Sequence, residues 1–176
     1  FPPYKELGAE FVVPGMEEVL KRGTAALEAL EKDLEAKVAK NAETAVQYED
    51  VALPLEALSD RVDRVWSSVR HLKSLVETEE LRNAIEAVQP KVVEFGLKAG
   101  QSKALYSAWA AVLENEVSGR VQLSPSQKRI CESEHRDAKL SGVALEGEEK
   151  ARFNELAKKL TELSTKFSNN VLDCTK

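Results

Sequence analysis

The sequence predicts an all-α protein, a bundle of about six or seven long, antiparallel, amphipathic helices. Apolar residues recur every three or four positions over several long stretches, which is the spacing of one face of an α-helix. The sequence has no run of alternating apolar and polar residues and no Asn-Gly or Asp-Gly turn, so strands are not indicated. Its 176 residues suffice for one hydrophobic core, and we expect residues 1–176 to form a single helical domain.

The composition excludes several classes of protein. Hydrophobic residues make up 43% and charged residues 31%, which is typical of a folded globular chain and not of a disordered one. The net charge of −5, without any run of Lys and Arg, argues against a nucleic-acid partner. No apolar run approaches the roughly 18 residues of a membrane span, so membrane insertion is not expected. Cys131 and Cys174 lie far apart without metal-ligand spacing, and a disulfide between them is not favoured.

The first third of the chain predicts an extended start and two long helices. Pro2 and Pro3 prevent a regular start, so residues 1–13 should be extended, with apolar side chains packed on the bundle: Phe1, Tyr4, Leu7 and Phe11. Pro14 fits the first position of a helix that runs to about Lys40. Within that helix Gly23 replaces an apolar residue, which predicts close approach by a neighbouring helix.

A second helix is predicted from about Tyr48 to Val76, with the most regular apolar seam in the chain: Leu55, Leu58, Val62, Val65, Val69, Leu72 and Val76. We expect this helix to be the structural spine. The short polar link before it predicts an antiparallel hairpin with the first helix. Pro54 lies near enough to its start to be tolerated or to mark a small bend.

Capping residues punctuate the following stretch. Thr78 is a predicted N-cap of a helix that Pro90 should break or kink before it continues to about Ala99. Ser102 should start the next helix. Ser124, followed by a first-turn proline, should start another, which ends before Gly142.

The last predicted helix runs from about Glu148 to the end of the sequence at Lys176. Its apolar stripe is regular, at spacings of three and four: Phe153, Leu156, Leu160, Leu163, Phe167 and Val171. We expect this stripe to be buried against the earlier helices. No Gly or Pro stop signal follows Val171, so the helical pattern reaches the end of the sequence.

The same stretch carries a family resemblance. LAKKLTELSTKFSNNVLDCTK, preceded by KLSGVALEGEEKARFNE, resembles the end of the N-terminal region of the oligopeptidase A and thimet oligopeptidase family of zinc metallopeptidases. The opening FPPYKELGAEFVVPGMEEVL and the central VALPLEALSDRVDRVWSSVRHLKSLVETEELRNAIEAVQP resemble it in the same order. Cys174 stands where the family usually has a small residue. QPKVVEFGLKAGQSKALY is closest to the plant and algal organellar branch, which implies a mitochondrial or chloroplast location, or alternatively a cytoplasmic one.

The chemistry of that family requires a helical HExxH motif, in which two His bind zinc and the Glu activates water. The sequence has His71 and His135, 64 residues apart, and neither belongs to such a motif. We therefore expect no catalytic, cofactor-binding or metal-binding residue in this segment, which should not itself be an enzyme. His71 is interpreted as a partly buried histidine and His135 as a solvated one, while Trp66 and Trp109 are assigned to packing. The acidic pairs, such as those at residues 17–18 and 79–80, fit helix starts.

Two functions remain open at this stage. The resemblance implies the non-catalytic N-terminal helical domain of a zinc endopeptidase acting on short peptides, with the zinc in a catalytic domain absent from this segment. Such a domain would form one wall of the peptide channel, and its partners would be the catalytic domain and the peptide. The alternative is a stand-alone helical scaffold, an interaction subunit of a larger assembly. A parent transcript that continues past Lys176 into an HExxH helix would favour the first.

Overall fold

The computed structural model describes residues 8–76 and 78–175. In these ranges the chain forms six α-helices and no strand, which confirms the predicted all-α bundle. The helices are α1 (Ala9–Ala39), α2 (Tyr48–Leu75), α3 (Glu79–Gly100), α4 (Lys103–Val117), α5 (Pro125–Leu140) and α6 (Gly147–Thr175).

The predicted helix caps are confirmed. The hydroxyls of Thr78 and Ser102 each accept a hydrogen bond from the backbone N–H three residues later, at 3.2 and 3.3 Å. Ser124 and Gln127 form a reciprocal capping box at the start of α5. Gly142 follows the end of α5 with a φ of +84°, a left-handed conformation that favours glycine.

The predicted start of α1 was wrong. The helix begins at Ala9, so Pro14 is its sixth residue. Phe11, predicted to pack on the bundle from an extended segment, lies exposed on this helix. The buried side chains of Val12 and Met16 explain the difference, because their packing outweighs the one backbone hydrogen bond that Pro14 cannot make. Glu17 and its neighbour are consequently in mid-helix, and Glu17 pairs with Lys91 of α3. The expectations for Phe1, Tyr4 and Leu7 lie outside the described residues.

Pro90 does not break the helix, one of the two predicted outcomes, since α3 is one helix across it; the alternative, a kink at Pro90, stays a prediction. Pro90 is exposed, so the helix loses one backbone hydrogen bond without losing packing.

The core is organised around α1 and not around α2 as the seam suggested. α1 packs against α2, α3 and α4, and seven of its residues are buried. Its first half joins α2 and α3 in one apolar cluster, which includes Met16, Leu20, Val62, Ile85 and Val88. Its second half joins α2, α4 and α5 in another, which includes Leu27, Leu34, Val51, Trp109 and Cys131. In α2, Leu58, Val62 and Val69 are buried as predicted, whereas Val65 and Leu72 are only partly buried.

The close approach predicted at Gly23 is confirmed. A Cβ atom at this position would lie 3.2 Å from the ring of Phe95 and 3.2 Å from a methyl group of Val62. Such contacts are tighter than ordinary van der Waals distance, so a methyl group here would require the side chains of Phe95 and Val62 to shift by a few tenths of an ångström, and glycine fits the close approach of α1 without that shift.

Candidate functional site

The apolar face of α6 is exposed, which contradicts the predicted burial of its stripe. We call the following residues the outer stripe: Leu156, Leu160, Leu163, Phe167 and Val171. Leu160 is 69% exposed and Phe167 is 70% exposed, and the other three are also classed as exposed. Only Phe153, at the start of the predicted stripe, is partly buried.

The opposite face of α6 attaches the helix to the bundle through polar side chains. Asn169, the one buried residue among the described residues of α6, accepts a hydrogen bond from Lys73 Nζ at 2.6 Å and donates one to Glu86 Oε1 at 3.0 Å. One turn earlier, Gln89 Nε2 donates to Thr165 Oγ1 at 2.6 Å, and that hydroxyl donates back to Gln89 Oε1 at 2.9 Å. These contacts place a polar interface where the sequence predicted an apolar one.

Further polar contacts fix the two ends of α6. Near its C-terminal end, the guanidinium of Arg82 donates to both carboxylate oxygens of Asp173 at 3.0 Å. Near its N-terminal end, Gln101 Nε2 donates to Asn154 Oδ1 at 2.7 Å. The position of α6 on α3 is therefore set by a series of hydrogen bonds along most of its length.

Helical geometry shows that the two faces of α6 are nearly opposite. At 100° per residue, Leu163 and Thr165 point about 160° apart, as do Phe167 and Asn169. Neither apolar cluster of the bundle includes a residue of α6. Exposed apolar patches of this kind mark interaction surfaces in soluble proteins, so the outer stripe is the candidate functional site.

The histidines do not form a zinc site. His71 is exposed on α2, contrary to its predicted partial burial. His135 is not simply solvated, because its ring stacks on Tyr106 with centroids 4.4 Å apart and planes 12° apart. Burial lowers the pKa of His135, and the charge of Lys139 lowers it further. Over residues 8–76 and 78–175 no three His, Cys, Asp or Glu side chains are grouped so that they could hold a metal ion.

The remaining predictions concern the two tryptophans, the two cysteines and membrane-spanning helices. Trp109 is buried in the apolar core and Trp66 packs partly buried against the cluster of α1, α2 and α3, as assigned. Cys131 is buried, Cys174 is exposed, and both are free thiols. None of the helices in the described residues is long and apolar enough to cross a membrane.

Sequence reasoning missed the polar face of α6. Its signal is present in the sequence: uncharged polar side chains recur at Asn154, Thr161, Thr165 and Asn169, opposite the apolar stripe. Such residues at helical spacing can pair with a polar partner helix, whereas charged ones are usually solvated. An amphipathic pattern alone does not say which face is inside.

Comparison with known proteins identifies the family. The family model for the neurolysin/thimet oligopeptidase N-terminal domain matches residues 16–150. The chain is 42% identical to a probable cytosolic oligopeptidase A and 41% identical to the chloroplastic/mitochondrial organellar oligopeptidase A, both of Arabidopsis thaliana, over its whole length. It is 34% identical, over 99% of its length, to oligopeptidase A of Haemophilus influenzae. The chain spans 21% to 24% of the length of these relatives. This sequence therefore belongs to the neurolysin/thimet oligopeptidase N-terminal domain family.

Proposed function

We propose that this chain is the non-catalytic N-terminal helical region of a larger, oligopeptidase A-like zinc endopeptidase, and that it forms one wall of the peptide channel. The zinc and the HExxH motif would belong to a catalytic domain outside residues 1–176. The names of the relatives and the share of their length that this chain covers support the proposal. The two Arabidopsis relatives, one organellar and one cytosolic, support a mitochondrial, chloroplast or cytosolic location equally.

The outer stripe of α6 is the observation that carries the proposal. It presents five large apolar side chains on one helix face, each 45% exposed or more. Covering the exposed part of each would contribute about 1 kcal/mol, which amounts to several kcal/mol for the stripe. A catalytic domain packed on this face would provide that cover, and the hydrogen bonds on the opposite face would hold α6 in place. A wall that excludes folded proteins must be rigid, which suits long packed helices.

The test compares two aspartate substitutions in the parent polypeptide and in the isolated chain. Leu160→Asp lies in the outer stripe, and Ser168→Asp introduces the same charge at an exposed position of α6 outside it. In the isolated chain we expect both variants to melt within about 2 °C of the parent sequence, because exposed sites tolerate charge. In the parent polypeptide, Leu160→Asp should lower the melting temperature and the cleavage rate of a quenched fluorogenic peptide, because a buried charge is costly.

Ser168→Asp should leave both properties of the parent polypeptide unchanged. Equal behaviour of the two variants there would contradict the proposed interface. A parent polypeptide with no peptidase activity, together with capture of the outer stripe by a separate protein, would favour the scaffold alternative.

A further inference from the structure

A cleft lies between α2 and α5, and α4 forms its floor. Its volume is about 480 Å³. The apolar part of its lining includes Ala52 and Leu55 of α2, Leu105 of α4 and Ala138 of α5. This cleft contains no residue of the outer stripe, so it is separate from the surface assigned above.

The cleft has aromatic side chains at one end. Trp109 of α4 and Tyr48 of α2 both line it, with ring centroids 6.2 Å apart and planes tilted by 49°. Trp109 is 2% exposed and is held by the core, and Tyr48 packs against that core while remaining partly exposed, so Tyr48 supplies the accessible aromatic surface. Aromatic surfaces accept the methylene groups of long basic side chains and attract the cation at their end.

Two of the three carboxylates that line the cleft have no cationic partner among the described residues. Glu56 of α2 and Glu134 of α5 line it from opposite walls, and among the described residues neither forms a salt bridge or hydrogen bond. Asp137, which also lines it, pairs only with the adjacent Arg136, at 3.1 Å on the exposed surface of α5. Partial loss of surrounding water raises the pKa of Glu134, and the charge of Asp137 raises it further. The charges of Glu56 and Glu134 are therefore not balanced by a cation within the described part of the chain.

A buried hydroxyl adds a hydrogen-bond donor to the lining. Ser102 is 4% exposed and its Oγ accepts from the N–H of Leu105 at 3.3 Å. Its own O–H donates to no residue within the described part of the chain. A hydroxyl that has only accepted a bond can still donate one to a carbonyl oxygen.

We propose that this cleft binds a lysine or arginine side chain of a peptide. The methylene stem would lie on Tyr48, next to the buried ring of Trp109. The cation would be held by Glu56 and Glu134, and Ser102 would donate to a peptide carbonyl. Charge complementarity selects this ligand over an acidic or purely apolar one. The inference rests on the proposed function in one respect, since it takes the ligand to be a peptide.

The test is a titration of the 176-residue chain, so it needs no catalytic activity and can fail independently of the proposed function. The probe is a hexapeptide of alanine and leucine with one central arginine, and its acetylated and amidated termini carry no charge. Its control has citrulline, the neutral isostere, at the same position. The readout is the indole N–H resonance of Trp109, with that of Trp66, outside the cleft, as an internal reference. Trp66→Phe assigns the two signals.

We expect the arginine peptide to shift the Trp109 signal and the citrulline peptide to bind at least about fivefold more weakly. Glu134→Gln should weaken binding of the arginine peptide by a similar factor, and Glu56→Gln likewise. Glu132→Gln is the matched control, because it removes the same charge from an exposed position of α5 outside the cleft, and it should change the affinity less than about twofold. Equal affinity for both peptides, a shift of Trp66 alone, or equal losses in Glu132→Gln and Glu134→Gln would each overturn the proposal.

Discussion

Replacing Asn169 with alanine should release α6 from the bundle without unfolding the rest of the chain. Asn169 is 6% exposed and makes hydrogen bonds to two charged groups, those of Lys73 and Glu86. The side chains that surround α6 elsewhere are mainly polar or exposed, and neither apolar cluster contains a residue of this helix. Loss of the two bonds should therefore affect the attachment of α6 and not the core.

The magnitude follows from the exposure of the partners. A buried hydrogen bond to a charged group contributes about 1.5–3 kcal/mol. Glu86 is exposed and Lys73 is partly buried, so in the variant water can replace much of the hydrogen bonding that each of them loses with the Asn169 side chain. We therefore expect a loss of about 2 kcal/mol in the free energy of opening α6, which corresponds to roughly 30-fold faster amide exchange in its C-terminal half.

Asn170→Ala is the matched control. Asn170 is exposed and makes no hydrogen bond among the described residues, and its replacement gains the same helix propensity, about 0.5 kcal/mol. Native-state hydrogen exchange over residues 161–175 measures the difference between the two variants, and the melting temperature reports on the core. Equal exchange in both variants would refute the reasoning, as would a large fall in the melting temperature of Asn169→Ala alone.

Three further predictions test the assignment of inside and outside. Leu27→Ala should cost about 2–5 kcal/mol of unfolding free energy because Leu27 is completely buried, whereas Leu163→Ala should cost less than about 0.5 kcal/mol; chemical denaturation measures both, and equal costs would contradict the burial. Burial raises the pKa of the Cys131 thiol to about 11, so an alkylating reagent at pH 8 should modify Cys174 in the native chain and Cys131 only after denaturation, as mass spectrometry would show. Burial raises the pKa of Asp50, but hydrogen bonds from the Lys37 ammonium and a backbone N–H outweigh burial, so the pKa is lowered overall. The Asp50 carboxylate therefore stabilises the fold above its unfolded pKa, and this stabilisation should be lost as the pH falls through the lowered pKa. The variant Asp50→Asn should lack this loss when the unfolding free energy is measured against pH.

Most of the fold could be predicted because it depends on local patterns. The N-caps at Thr78, Ser102 and Ser124 can be predicted because their side chains accept a hydrogen bond from the first turn of the helix that follows. The end of α5 can be predicted because Gly142 readily adopts the left-handed conformation that follows a helix. The close approach of helices at Gly23 can be predicted because glycine stands at a position of α1 where the apolar spacing calls for an apolar side chain. These features involve a few neighbouring residues, so the sequence alone defines them.

What could not be predicted depends on which partner a helix face meets. The α6 stripe has the same spacing as the seams of α1 and α2, but its polar face has partners within this chain, namely Gln89, Glu86 and Lys73. Periodicity shows which residues share a face of the helix, but it does not show which part of the protein, or the solvent, that face contacts. The start of α1 is a similar case, because a helix that begins before Pro14 is explained by the packing of Val12 and Met16 against other helices.

The grouping of the apolar clusters has a consequence for synthesis on the ribosome. The cluster that joins the first half of α1 to α2 and α3 uses buried residues from Val12 to Val88, and the other cluster uses residues from Leu27 to Cys131. Chains are made from the N-terminus, and units whose contacts are complete can fold before the remainder emerges. The cluster of α1, α2 and α3 would thus form first, and the cluster of α1, α2, α4 and α5 would form next. α6 would then leave the ribosome last and pack on helices that are already folded. Nascent chains stalled at successive lengths should gain protease resistance in that order.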